Sequence, residues 1–134
     1  MTDTCISALV LYADSAAIPY PSQLNPDVER YHAIVGGYIE SVRLTMPDGT
    51  QAAMYVNEEG KLDGLPVNPV ATLLVRTLNL HIGKQDIVGT VVIVGVDGCE
   101  DADVPGAVVS VVQQLHVELR IAGYVRTLRE RGER

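Results

Sequence analysis

The densest group of polar side chains in this sequence lies between residues 57 and 68. It combines two adjacent carboxylates with a lysine and two asparagines: Asn57, Glu58, Glu59, Lys61 and Asn68. Carboxylate, ammonium and amide groups together can bind a polar ligand, a metal ion or a charged protein surface. Adjacent residues of a strand or loop usually point apart, which argues against one shared catalytic site. We interpret these five residues as a ligand- or partner-binding surface.

A structural explanation of the same segment stays open. Gly60 and Gly64 permit left-handed backbone, Pro66 stiffens the loop, and Asn68 can cap a helix that begins at Pro69. Glutamates also occur commonly in turns as solvated residues. Both explanations fit the sequence, and only the positions of the side chains separate them.

Patterns that are typical of catalysis, metal binding and phosphate binding do not occur in the sequence. The three histidines are isolated from one another, and the two cysteines, Cys5 and Cys99, form no metal-binding pair. The chain also has no Gly-x-Ser-x-Gly elbow and no glycine-rich phosphate loop. We therefore expect a protein that is not an enzyme, with no catalytic residue, no metal and no cofactor.

The charge of the chain is uneven and mostly negative. The formal net charge is −7, although residues 120–134 contain five arginines and two glutamates. An acidic body repels phosphate backbones, so we do not expect a nucleic-acid partner. The N-terminus has no signal-peptide pattern, and apolar runs such as Val91–Val94 are too short to cross a bilayer. These features predict a cytoplasmic protein without membrane contact.

Hydrophobic periodicity predicts the elements that must position these residues. Strands are predicted at 5–12, 38–46, 52–56 and 87–96, and a Pro-Asp-Gly turn makes the middle two a hairpin. Two Asn-Pro pairs, at 25–26 and 68–69, predict helix starts with asparagine as the N-cap, and the second helix is predicted to end near Gly83. Residues 97–103 contain four carboxylates and are predicted to form a loop. Pro105 is predicted to open a C-terminal helix.

The order of these elements predicts an α+β fold. Two βαβ units would form a four-stranded, mainly antiparallel sheet, ferredoxin-like or a variant, with both helices on one face. A less regular α+β sheet with the same elements is the alternative. In the ferredoxin-like order the fourth strand lies at an edge, although it is the most apolar strand and needs a cover. We predict a domain over 1–104 and a C-terminal helix over 105–134 that packs on the domain or on a second subunit.

The predicted C-terminal helix carries an apolar stripe. Its first four members are Val108, Val112, Leu115 and Leu119. The spacing fits an ordinary core-packing stripe, and it also fits a two-heptad coiled coil. On the second interpretation these four residues form the interface of a homodimer.

Several short motifs, taken in order, resemble a known family. They are Val35–Glu40 (VGGYIE), Asn57–Leu62 (NEEGKL), Leu65–Asn68 (LPVN), Asp86–Thr90 (DIVGT) and Val92–Gly95 (VIVG). Together they resemble domain-of-unknown-function family 3846 over about residues 5–98. Families of this kind occur in phages, plasmids and mobile elements of bacteria, and the resemblance implies no established activity. The C-terminal helix lies outside these motifs.

Two hypotheses about function follow. The first is a non-enzymatic phage or mobile-element accessory protein that binds and modulates a host protein, with the acidic body steering it towards basic partners. The second is a small-ligand binder, such as a nucleotide-sequestering anti-defence protein. Its pocket would be lined by Glu58, Glu59, Lys61 and Asn68.

Overall fold

The described part of the chain forms one antiparallel sheet of six strands with helices on both faces. The computed structural model describes residues 5–14, 17–78 and 86–130, and of residues 124–130 it describes the main chain alone. In chain order the elements are β1 (Ile6–Leu11), β2 (Ser22–Leu24), α1 (Val28–Val35), β3 (Ile39–Thr45), β4 (Gln51–Asn57), α2 (Pro69–Thr77), β5 (Val91–Asp97), β6 (Glu100–Ala102) and α3 (Gly106–Glu130). No helix within these ranges has both the length and the apolar character that a membrane span requires.

The strands follow the order β2-β1-β5-β4-β3, and every pair is antiparallel. The sixth strand, β6, pairs with the end of β5 (Gly95–Asp97), beyond the part of β5 that pairs with β1. The predicted α+β class, the mainly antiparallel sheet and the C-terminal helix are therefore confirmed. The hairpin of β3 and β4 also forms as predicted, with Leu44 opposite Ala52.

The strand number and the ferredoxin-like strand order need correction. Glu100–Ala102, which we predicted as part of a loop, is a short strand, and so is Ser22–Leu24, which lies outside every predicted strand. The fourth long strand, β5, lies between β1 and β4, whereas a ferredoxin-like sheet would place it at an edge. Its residues Val91–Val94 are all fully buried, because a central strand is covered on both faces. We attributed the apolar character of this strand to an edge that needs a cover. It instead reflects the position of β5 in the centre of the sheet.

The two helices that we expected on one face lie on opposite faces. On one face α1 contributes Tyr31 and Val35 to a core that includes Val92 and Val94 of β5. On the other face α2 and α3 pack over Val91 and Ile93 of the same strand. Successive residues of β5 therefore point alternately into two separate cores.

Helices α1 and α2 each begin near an Asn-Pro pair, but the residue that serves as the N-cap differs between them. Asn68 caps α2 as predicted, and its side chain accepts a hydrogen bond from the Ala71 amide at 3.2 Å. The N-cap of α1 is Asp27 and not Asn25, because Asp27 has extended backbone and accepts from the Glu29 amide at 3.1 Å. Helix α1 ends at Gly36, whose φ of 85° is the left-handed conformation that glycine adopts readily. The predicted end of the second helix near Gly83 lies outside the described residues.

The C-terminal helix packs on the domain of its own chain. Val108 and Val112 are fully buried, and Leu115 is nearly so, in the core that α3 shares with α2 and the sheet. Leu119 is half-buried. Three of the four residues that we predicted as an oligomer interface therefore lie inside the chain, where they are covered without a second copy. The homodimer itself stays a prediction.

Candidate functional site

The acidic loop, residues 57–65, has a defined main-chain conformation. The Glu58 amide donates to the Tyr38 carbonyl oxygen at 2.9 Å, which attaches the loop to the start of β3. Within the loop, the Asp63 amide donates to Glu59 at 2.9 Å and the Leu65 amide donates to Gly60 at 2.9 Å. Such internal hydrogen bonds give a surface loop a defined main-chain shape, which fixes the points from which its outward side chains extend.

Asn57 is a structural residue at the base of the acidic loop. Its side chain is buried, with Nδ2 donating to the Val35 carbonyl oxygen at 3.2 Å and Oδ1 accepting from the Glu59 amide at 2.8 Å. A side chain on Gly37 would meet Nδ2 at 3.0 Å, so the glycine makes room for this amide. Asn57 therefore joins the loop to the end of α1.

Asn68 is also structural, and it lies away from the acidic loop surface. It is completely buried, and Nδ2 donates to the carbonyl oxygens of Leu11 and Gly89, each at 2.9 Å. Together with its cap on α2, this one side chain connects β1, α2 and the segment before β5. The helix cap that the structural explanation gave to Asn68 is therefore present, and Asn57 also holds two segments of the fold together.

The other three predicted residues lie together on the surface. Glu58, Glu59 and Lys61 are exposed and line a depression of about 210 Å³. Two further carboxylates, Glu40 and Asp86, line the same depression. Its apolar lining includes Val42, Val56, Ile87 and Val88. The sequence prediction missed Glu40 and Asp86 because they come from distant segments and belong to no local pattern of their own.

This depression is suited to cationic groups. Four carboxylates and one ammonium group line it, and one of the four, Asp86, is paired with Arg76 at 2.9 Å. The other three carboxylates outnumber the ammonium group, so the local potential is negative and repels phosphate. Within residues 5–14, 17–78 and 86–130, no group of three or more histidine, cysteine or carboxylate side chains could hold a metal ion. The arrangement can attract basic side chains, and it offers no nucleophile paired with a base.

A second polar cluster joins two tyrosines to one carboxylate. The hydroxyl groups of Tyr31 and Tyr55 donate to the two oxygens of Asp101, each at 2.7 Å, and the two rings stack with centroids 4.6 Å apart. Burial and then the hydrogen bond to Asp101 raise the pKa of both tyrosines well above the ordinary value. The cluster connects α1, β4 and β6. Its three members are far apart in the sequence, so no spacing signals it.

We expect Tyr31 and Tyr55 to stay protonated at a pH where exposed tyrosines ionise. Since their pKa is raised in the folded state, their contribution to stability is complete below about pH 10 and is lost as the pH rises further. Tyrosinate absorbance, followed together with circular dichroism through alkaline pH, measures this. The ionisation of two tyrosines should coincide with unfolding.

Asp101→Asn should lower the free energy of unfolding at neutral pH by about 1–3 kcal/mol, because a charged acceptor of two hydrogen bonds is lost. It should also lower the pKa of both tyrosines. Asp97→Asn, an exposed change on the same hairpin, is the matched control and should have little effect. Full tyrosine ionisation in a folded wild-type chain would contradict this account.

Comparison with known proteins identifies a family but no characterised relative. A family model described as a domain of unknown function (DUF3846) matches residues 6–116. This match confirms the resemblance given by the sequence motifs, and it extends beyond them into the first part of α3. Searches of curated proteins and of solved structures gave no match.

Proposed function

The chain belongs to DUF3846, a family of domains of unknown function, and we propose that it is a non-enzymatic accessory protein that binds and modulates another protein. The binding surface that we propose is the acidic loop with its depression. The partner is a basic protein surface with an apolar side chain near its centre. The setting that we propose is a phage or mobile element whose product meets a host protein in the bacterial cytoplasm.

The observation that carries this proposal is the exposure of Leu62. This side chain is 87% exposed, the highest value among the exposed large hydrophobic residues of the described chain. It lies on the acidic loop, between main-chain hydrogen bonds that fix the loop on both sides. The main chain that carries Leu62 loses little freedom on binding, and burial of the exposed side chain would remove apolar surface from water, so Leu62 is a favourable anchor for a partner.

The charges around Leu62 indicate what kind of partner fits. Glu58, Glu59 and Asp63 are exposed on the same loop, and Glu40 lines the depression that Leu62 also lines. Because the whole chain has a net charge of −7, its long-range field also favours a basic partner. Complementary charges accelerate association and select the partner, while the apolar contact supplies affinity.

A nucleotide-like ligand, the alternative from the sequence, fits this surface less well. The carboxylates of Glu40, Glu58 and Glu59 outnumber the ammonium group of Lys61 in the depression and would repel its phosphates. Asn68, which we predicted as a lining residue of the ligand pocket, is completely buried in the fold. The charges of this surface support a basic protein partner over a small phosphate ligand.

The proposal is tested by capturing partners of the tagged chain from a bacterial lysate and then measuring the affinity of the purified partner. Glu58→Gln/Glu59→Gln should weaken binding about tenfold at low salt and less at high salt, because salt screens exposed charges. Leu62→Ala should weaken binding about tenfold at any salt concentration, because the apolar anchor is lost. Calorimetric titration gives both values.

The matched control is Glu29→Gln/Glu118→Gln, which removes the same charge from exposed positions on α1 and α3. It should leave the affinity nearly unchanged. All of these variants change exposed side chains, so their free energies of unfolding should stay within about 0.5 kcal/mol of the wild-type value. A partner that binds the Leu62 and Glu58/Glu59 variants as tightly as the wild type would overturn the proposal.

A further inference from the structure

An apolar groove of about 370 Å³ lies between the end of β1, the segment that leads into β2, the start of α2 and the middle of α3. Tyr12, Ile18 and Tyr20 form one part of its lining, and Val70 and Leu119 form another. These residues come from four separate segments, so sequence patterns do not reveal them as a group. The groove shares no lining residue with the acidic depression.

Three large apolar side chains that line the groove are exposed to solvent. Tyr12, Ile18 and Tyr20 are 60%, 41% and 70% exposed. The segment that carries two of them is attached to α3, because Gln113 Nε2 donates to the Pro19 carbonyl oxygen at 2.8 Å. A volume of this size lies within the range of small-molecule sites, which is roughly 300–1,000 Å³. Contiguous exposed aromatic and aliphatic surface of this kind marks a binding site.

The charge of the groove is opposite to that of the chain as a whole. The sequence has seventeen acidic residues, yet none lines the groove in the described part of the chain. Its ionisable lining residues include the exposed Arg120 and the buried His116. The first turn of α2, with Pro69 and Val70, also belongs to the lining and adds the positive end of a helix dipole. The groove therefore combines an apolar wall with a positive rim.

We propose that this groove binds a small amphipathic anion, with an aromatic or aliphatic body and one carboxylate or sulfonate group. The body would lie against Tyr12, Ile18 and Leu119, where apolar surface leaves water. The anionic group would meet Arg120, whose planar guanidinium can donate two parallel hydrogen bonds to such a group. This site is independent of the proposed protein partner, because the two surfaces use different residues.

The test uses two fluorescent probes that differ mainly in charge. Anilinonaphthalene sulfonate has an apolar body and a sulfonate, and phenylnaphthylamine has the same rings without charge. The wild type should bind the sulfonate at one site per chain, at least about tenfold more tightly than the neutral probe. Arg120→Gln should remove about tenfold of the sulfonate affinity and leave the neutral probe unchanged. Arg120→Lys should retain part of the preference, because it keeps the charge.

Two control variants separate this site from general charge effects. Arg43→Gln removes one positive charge from β3, at the opposite edge of the sheet, and should not alter either probe. Glu58→Gln/Glu59→Gln should also leave probe binding unchanged, so a failure of the protein-partner proposal would not affect this result. Circular dichroism confirms that each variant is folded.

The anion site is overturned if the wild type binds the two probes equally or if Arg120→Gln keeps the full preference for the sulfonate. It is also overturned if Arg43→Gln reduces the preference as much as Arg120→Gln does. Equal binding of both probes would instead indicate an apolar surface that takes a side chain of a protein.

Discussion

Replacing Asn68 by alanine should lower the free energy of unfolding by about 3–5 kcal/mol, and it is one of the two largest effects that we expect from a single substitution. The change removes the N-cap of α2 and leaves the carbonyl oxygens of Leu11 and Gly89 without their donor. All of these groups are far from water, so no solvent molecule replaces the lost hydrogen bonds. Urea denaturation followed by circular dichroism measures the effect.

Two matched variants divide this effect into its parts. Asn68→Ser keeps a side-chain oxygen for the helix cap and removes the two N–H donors, so it should recover only part of the stability that Asn68→Ala loses. Asn25→Ala changes the asparagine of the other Asn-Pro pair, which is exposed and is not the cap of α1, and should cost less than about 0.5 kcal/mol. A similar loss at Asn25 and Asn68 would contradict the roles assigned here.

Gly95→Ala should destabilise the fold about as much as Asn68→Ala does. We expect it to lower the free energy of unfolding by about 3 kcal/mol or more. A methyl group at this position would overlap the Asp103 carbonyl oxygen and lie 3.0 Å from the Asp103 carbonyl carbon. Both are main-chain atoms next to β6, and neither can rotate away as a side chain would. The sheet would have to separate β6 from β5 to admit the methyl group.

The control for this prediction is Gly106→Ala. Nothing lies within 4 Å of a methyl group at Gly106, which begins α3, so this change should be neutral or slightly stabilising. If Gly95→Ala yields too little folded protein for denaturation, the soluble fraction after expression, relative to Gly106→Ala, gives the comparison. Equal stability of the two variants would disprove the close approach of β6 to Gly95.

The sequence predicts the long elements of this fold better than their arrangement. Alternation identifies β3 and β4, and the Asn68-Pro69 pair marks the start of α2, because these signals are local. Strand order depends on which strands meet in space. The sequence does contain one clue to that order, the unbroken apolar run Val91–Val94. A strand without a polar face belongs in the centre of a sheet, where both of its faces are buried.

The candidate surfaces show the same division. The exposed part of the acidic loop is contiguous in the sequence, so Glu58, Glu59 and Lys61 could be found from it. The short strand β6 has acidic residues at two of its three positions, and Asp101 is paired there with two distant tyrosines. Composition alone therefore described that segment as a loop. The strand β6 and the pairing of Asp101 depend on tertiary contacts, which leave no local pattern in the sequence.

The central position of β5 has a consequence for how the chain reaches its folded state during synthesis. The long strands β1, β3 and β4 leave the ribosome before β5, and β1 has no partner in the centre of the sheet until β5 arrives. The Ser7 amide must also wait for the side chain of Asp103, 96 positions later, to complete its hydrogen bond. Contacts between such distant residues slow folding, because a long loop has to close first. The hairpin of β3 and β4 can form early, whereas the sheet is completed only after β5 and β6 have been made.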